Sequence, residues 1–281
     1  MKYIVVSLLL IVVCVLLMQN HQNISNNDAA GFALSNAPKK IKEIALPAGY
    51  QRVTLVPSSF GSYLRNLPLK SSPTVYLYNG HRKRNQQAQY AVLDVDVGKK
   101  NLQQCADAVI RLRAEYLYKN KLYSRIQFHF TNGSLASYAQ WCKGFRAKVR
   151  GNKVRWVKTH GFDESYATFR QYLETVFMYA GSYSLNKELQ KVPCIRDIQV
   201  GDVFIQGGFP GHAVLVVDVA RHSRTGVLLF MLAQSYMPAQ DIHILKNLNN
   251  KQLNPWYSVA QLRAELETPE WTFKKNNLKR F

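Results

Sequence analysis

The chain has 281 residues, 47% of them apolar, enough to bury a full core without disulfides or a structural metal, as one domain with additions or two small ones. Lysine and arginine outnumber acidic residues 37 to 17, and the formal charge of +20 favours anionic partners: nucleic acid, acidic glycan or lipid headgroups. With no phosphate-binding glycine loop, His-Glu-x-x-His pair, Cys-x-x-Cys pair or Gly-x-Ser-x-Gly elbow, neither metal nor nucleotide chemistry is indicated, and no cofactor is expected.

In chain order, Tyr3 to Met18 is an unbroken apolar run behind Met1-Lys2, and residues 1–18 read as a signal peptide or membrane anchor. No small-x-small cleavage site follows Met18, which favours an uncleaved anchor with Lys2 cytoplasmic and the body exported, periplasmic or facing the periplasm. Cys14 is not read as a lipid-attachment cysteine, because Val13 is not small and the apolar run continues past it. Residues 19–43 read as a flexible linker and 44–281 as a single α+β domain. Export argues against nucleic acid and leaves an envelope polymer or peptide as the expected partner, with membrane contact through the N-terminal segment. Of Cys105, Cys142 and Cys194, at least one is unpaired within the monomer, and a Cys142–Cys194 bridge stays open.

A short strand is expected within Ile44–Pro57 and a small helix over Ser58–Leu67, stopped by Pro68. Thr74–Tyr78 and Tyr90–Val97 alternate as strands, joined by the basic loop His81-Arg82-Lys83-Arg84-Asn85, which reads as solvated. Asn101 is the expected N-cap of a helix reaching about Lys119, with Leu102, Cys105, Val109, Leu112 and Tyr116 on its inner face. A strand at Ile126–Thr131, a helix over Ser134–Phe145 and a strand at Lys153–Lys158 follow. Asp163 is the expected cap of a helix over Glu164–Ala180, ended by Gly181 in the left-handed conformation. Two apolar strands then flank the turn Gly207-Gly208-Phe209-Pro210-Gly211, a third strand spans Val227–Ala233, and the tail from Pro255 adds a short helix and an aromatic patch around Trp271.

His212 opens the second of those apolar strands, and alternation places it on one face with Val214, Val216 and Asp218. The glycines and proline before it leave the approach to the imidazole bare. Cys105, in the first turn of its helix, is the candidate nucleophile, since a helix N-terminus and a neighbouring imidazolium both lower a thiol pKa. An imidazole that works as a base needs a third group to fix its tautomer. Asp218 lies six residues along the same strand, about 20 Å away, and is too far. Counting back through a hairpin puts Gln234 and Ser235 beside His212 within two residues, which makes Gln234 the orienting residue and Asp241 a reserve. Gln103 or Gln104 is a candidate donor to an oxyanion. Tyr236, Trp141 and Trp256 are candidate stacking residues if the protein binds its ligand without cleaving it.

Gly201-Asp202-Val203 leading to Gly211-His212-Ala213-Val214 resembles the histidine strand of papain-like hydrolases of the NlpC and CHAP type. That resemblance implies a papain-like antiparallel sheet packed against helices, with N-terminal additions. It also implies the order cysteine on a helix, histidine on a strand, polar residue on the next strand, matched here by Cys105, His212 and Gln234. Two departures concern the nucleophile: Cys105 lacks the usual Asp-Cys-Ser/Gly context, and the stretch from Cys105 to His212 is longer than in those compact domains. Gln104-Cys105-Ala106-Asp107, Arg111 to Leu117, Pro210-Gly211-His212 and Gln234 to Gln240 are similar to an uncharacterised family of bacterial envelope proteins, a likeness running from about Ile44. Two functions are expected as alternatives: an exported cysteine hydrolase acting on an amide or ester of the envelope, such as a peptidoglycan peptide, or a non-catalytic envelope binding protein using the same cleft and a basic surface.

Overall fold

A run of eleven residues that is apolar on both faces is stable only inside a sheet, and the His212–His222 strand lies there, with its first nine residues buried. The computed structural model describes residues 37–281; the proposed signal or anchor falls outside the described residues. No helix among the described residues is long and apolar enough to cross a membrane.

The fold is mixed α+β around an antiparallel sheet of nine strands. Across it run Gln89–Val92, His243–Leu245, Leu228–Gln234, His212–His222, Val203–Gln206, Leu278–Arg280 and Gln190–Lys191. Tyr50–Arg52 pairs with the far end of His212–His222, and Tyr257–Ser258 with the start of Leu228–Gln234. On one face Ala213, Leu215 and Val217 meet the Cys105–Lys119 helix through Val109 and Leu112, in a core shared with Phe169, Leu173 and Val176 of the Tyr166–Tyr179 helix. On the other, Val214 and Val216 pack with Phe204, Phe230 and the C-terminal Phe273 and Leu278. Each such Val, Leu or Phe contributes about 1.5–3 kcal/mol by leaving water.

Regular alternation breaks once along this strand. Leu232 pairs with Val216 but Met231 pairs with Asp218, so Val217 is an extra residue, a β-bulge. The bulge turns Asp218 onto the helix-covered face, correcting the expectation that it shares a face with His212. There its fully buried carboxylate takes Arg52 Nε at 2.6 Å and Arg65 Nε at 2.7 Å.

Several local expectations change. The compact unit begins at Lys40, where Ile41 is fully buried under the Ile41–Glu43 turn. Gln104, not Asn101, is the N-cap of the Cys105 helix; the Asn101 side chain instead accepts from Ala239 N at 2.8 Å. Ser165, not Asp163, caps the Tyr166–Tyr179 helix, because Asp163 is engaged by Ser165 N and the Thr168 hydroxyl from outside it. Gly181 is extended at φ 173° and starts the Ser182–Glu188 helix. Thr74–Tyr78 forms no strand, only bridges from Tyr76 to Arg82 and Leu77 to Gln240. Ser134–Phe145 divides into a strand, Leu135–Ser137, and a short helix, Tyr138–Cys142, and Phe145–Arg150 forms a hairpin with Lys153–Lys158. In the tail the expected helix is replaced by two 3-10 turns, Val259–Gln261 and Lys275–Asn277. Cys105, Cys142 and Cys194 are all free thiols.

Candidate functional site

Cys105 is the first residue of its helix because Gln104 is extended and its amide is taken by Asp107 Oδ2 at 3.0 Å, an acidic group in the first turn where the helix dipole favours it. The helix start is tied to the sheet through Ser235, whose Oγ donates to Gln103 O at 3.0 Å, just past the end of the Leu228–Gln234 strand. The backbone amides of Ala106 and of Ala213, the residue after His212, favour the thiolate of this sulfur. Cys105 is only 9% exposed, and burial, reinforced by the Asp107 charge, outweighs those amides and pushes the thiol up to about 11. The expected lowering at a helix start is therefore reversed, because desolvation of a thiolate costs more than the dipole returns.

His212 directly precedes Ala213 at the start of its strand. Its ring packs against Tyr236 at 4.8 Å, Trp271 at 5.2 Å and Phe273 at 5.8 Å between centroids. Burial holds it neutral, with a pKa lowered to about 4. No hydrogen bond joins the Cys105 sulfur to the imidazole; Tyr236, whose ring packs on His212, feels the Cys105 charge.

Gln234 is where the hairpin count places it. The observed register puts Ala233 opposite Leu215, and from the next position Gln234 reaches diagonally to His212, with Oε1 2.8 Å from Nε2. Its amide nitrogen lies 2.8 Å from Glu270 Oε2 and 3.4 Å from His243 Nε2. A carboxylate only accepts, so the Gln234 NH2 group must face Glu270 and the carbonyl must face His212. His212 therefore donates from Nε2 and carries a bare lone pair on Nδ1. That nitrogen has no hydrogen-bond partner and is not among the enclosed unpartnered polar atoms. The assignment is consistent at His243, whose Nδ1 donates to Asp241 O at 2.9 Å and whose Nε2 is left to accept. Burial lowers the His243 pKa to about 3, so this second ring is neutral too.

Behind Glu270 stands Lys83, with Nζ 2.5 Å from Oε2, and Asn85 donates to Oε1 at 3.0 Å. Lys83 is 8% exposed, so part of the loop read as solvated is an interior strut. Glu270, Lys83, His243 and Trp271 are the site members that sequence reasoning missed. Periodicity carries no sign of them, since Lys83 and Glu270 lie in loops 187 positions apart. The one available signal was an acidic residue inside the aromatic Pro269–Phe273 patch of a strongly basic chain.

Other expected residues lie elsewhere or do other work. Asp241 is bound by Lys70 Nζ and Tyr76 N, both at 2.9 Å, and its carboxylate orients no imidazole. Gln104 Nε2 donates to Asn101, while Gln103 is 1% exposed with an enclosed, unpartnered Nε2 and its Oε1 held by Arg111 at 2.8 Å. Trp141 and Trp256 are core residues at 4% and 1% exposure, so of the three aromatics only Tyr236 borders the site. Exposed Phe209 and Met237 flank it, in turns that contain the cis Phe209–Pro210 and Met237–Pro238 bonds. A cavity of about 920 Å³ opens elsewhere and includes neither Cys105 nor His212. No group of three or more metal-ligating side chains occurs among the described residues.

A family model described as "Domain of unknown function (4846)" matches residues 41–280. No curated protein and no solved structure matches the chain.

Proposed function

The chain belongs to this DUF4846 family, and we propose that it is an exported cysteine hydrolase of papain-like architecture, acting on an amide or ester of the cell envelope, with peptidoglycan stem peptides as the substrate class. The observation that carries this reading is the 2.8 Å bond from His212 to Gln234, with Glu270 locking the amide behind it. A buried histidine needs only one partner to be satisfied. Here two further groups are spent on fixing which nitrogen is bare, and the next residue in the strand, Ala213, offers an amide that favours the Cys105 thiolate.

In this mechanism the pair rests as neutral thiol and neutral imidazole rather than as an ion pair. Substrate entry brings the sulfur and His212 Nδ1 into contact. The Cys105 proton passes to Nδ1 as sulfur bonds to the carbonyl carbon, and the imidazolium then protonates the leaving amine or alcohol. Water, deprotonated by the same nitrogen, releases the acid and restores the thiol. Gln234 keeps the ring in one tautomer throughout, and the Cys105 and Ala106 amides are the donors available to the oxyanion.

The test is incubation of the full chain with stem peptides and with a peptide acyloxymethyl ketone. Cys105 should be alkylated by the ketone, Cys105→Ala and His212→Ala should release no product, and Gln234→Ala should be slower by roughly 10²- to 10⁴-fold. An unmodified Cys105 with intact peptides overturns the reading.

The rival, a non-catalytic envelope binding protein, is favoured by the buried thiol and the missing sulfur–imidazole bond. It is supported instead if wall fragments bind uncleaved, with affinity falling steeply in salt.

A further inference from the structure

The cavity of about 920 Å³ meets the Cys105–Lys119 helix at Arg113, eight residues along from the thiol. Arg113 is half-buried and differs from several other arginines of this protein in its partners. The guanidinia of Arg52, Arg65, Arg111 and Arg280 each reach a carboxylate. Arg113 has no carboxylate and no hydrogen-bond acceptor among the described residues. Its guanidinium carbon lies instead 5.0 Å from the Phe60 ring, 5.0 Å from the Phe281 ring and 5.5 Å from the Tyr116 ring. Burial and the nearby Arg125 charge both disfavour its cationic form. Rings hold the guanidinium by its faces and leave its in-plane N–H donors free.

Lys191, Arg196 and Arg221 line the same cavity from three different segments, and none makes an ion pair among the described residues. Of the aspartates in the lining, Asp202 is paired with Arg280 at 2.6 Å and Asp197 is exposed at the rim. Leu55, Val192, Ile198 and Val200 supply apolar wall between the cations. The volume falls in the range of small-molecule sites, which pair an apolar lining with a few convergent polar groups.

We propose that this cavity binds an apolar molecule ending in a carboxylate or phosphate, with Arg113 taking the oxyanion through its free N–H donors. The alkyl or acyl body lies against the apolar wall, and Lys191, Arg196 and Arg221 add attraction at the mouth. The inference is independent of the hydrolase reading, since Cys105 takes no part in it.

Calorimetric titration of the full chain with octanoate, octyl phosphate, inorganic phosphate and uncharged octyl glucoside tests it. Octanoate or octyl phosphate should bind one per chain, and the stronger of the two identifies the head group. Inorganic phosphate and octyl glucoside should each bind at least about tenfold more weakly, because each lacks half of the recognised chemistry. Arg113→Met, which keeps apolar bulk between the rings, should weaken binding on the order of tenfold or more. Arg196→Gln with Arg221→Gln, both exposed positions, should weaken it less and reduce its salt dependence. Cys105→Ser should bind as the parent does. Octyl glucoside binding as well as the anions, Arg113→Met or the surface double variant binding unchanged, or an absence of saturable binding, overturns the proposal.

Discussion

Glu270 Oε2 lies 2.8 Å from Gln234 Nε2, and this contact decides which nitrogen of His212 is bare. The wild-type protein is therefore expected to show the Nε2–H tautomer of His212 in ring nitrogen chemical shifts. In Glu270→Gln either end of residue 270 can face Gln234, so both tautomers should appear. Lys83 would lose its carboxylate inside the protein, at a cost of about 3–5 kcal/mol in urea unfolding, part of which Lys83→Met in the same chain should restore. A single unchanged tautomer in Glu270→Gln would remove Glu270 from the positioning role.

Acid should weaken the fold through its buried imidazoles. His212 is held at about 4 and His243 at about 3 in the native state, below the ordinary ~6.5 that the unfolded chain recovers. Between these values the unfolded chain binds more protons, so this contribution is complete above pH ~6.5 and is lost as pH falls towards 4, by roughly 3 kcal/mol for His212. Asp107 and Asp218, raised by burial, act in the opposite sense, and the comparison must cancel them. His212→Asn does so: its loss between pH 7 and pH 4.5 should be smaller than that of wild type by about 2–3 kcal/mol. Equal losses would mean that the ring titrates normally.

The three thiols of the described residues should separate by reactivity. Cys194 is exposed, whereas Cys105 and Cys142 are buried with raised pKa values. Iodoacetamide at pH 7.4, followed by peptide mass mapping, should modify Cys194 first and Cys105 at least ~100-fold more slowly, since only thiolate reacts. Urea should equalise them. Rapid native labelling of Cys105 would contradict the resting state described for the site.

Gly211 precedes His212 with no room for a side chain. A Cβ there would meet Gly208 O and Gln206 O at 2.6 and 2.7 Å, and the Ser182 hydroxyl closer still. Gly211→Ala is expected to lose about 1–3 kcal/mol in thermal unfolding and to broaden the His212 ring signals as the strand start shifts. Unaltered stability would show that the turn yields freely.

The parts of this protein that follow from local pattern were legible in its sequence. The apolar run from Ala213 to Ala220 could only be a buried strand, and alternation plus one tight turn sufficed to place Gln234 near His212. The Cys105 helix was visible from its spacing, though its start was displaced because Asn101, a good capping residue, is used by Ala239. Short strands such as Leu135–Ser137 carry too few residues for a period to show, and propensity yielded there to pairing with Gln127–His129. The Lys83–Glu270 strut was out of reach for a different reason. Its members owe their burial to the chain's return to the sheet near its end, a non-local event that leaves no local pattern. The sign of the thiol shift failed likewise, because it depends on enclosure rather than on position in a helix.

The extra residue at Val217 lets one strand serve two masters that cannot coexist on one side of it. Were Val217 itself paired with Met231 in strict alternation, the Asp218 carboxylate would swing into the layer of Phe204 and Phe230 and Arg52 and Arg65 would be left facing grease, whereas deleting Val217 keeps Asp218 opposite Met231 on its present face. A one-codon deletion at Val217 should thus be tolerated better than a substitution that removes the Asp218 carboxylate, because the pairing of Asp218 with Met231 outlives the bulge.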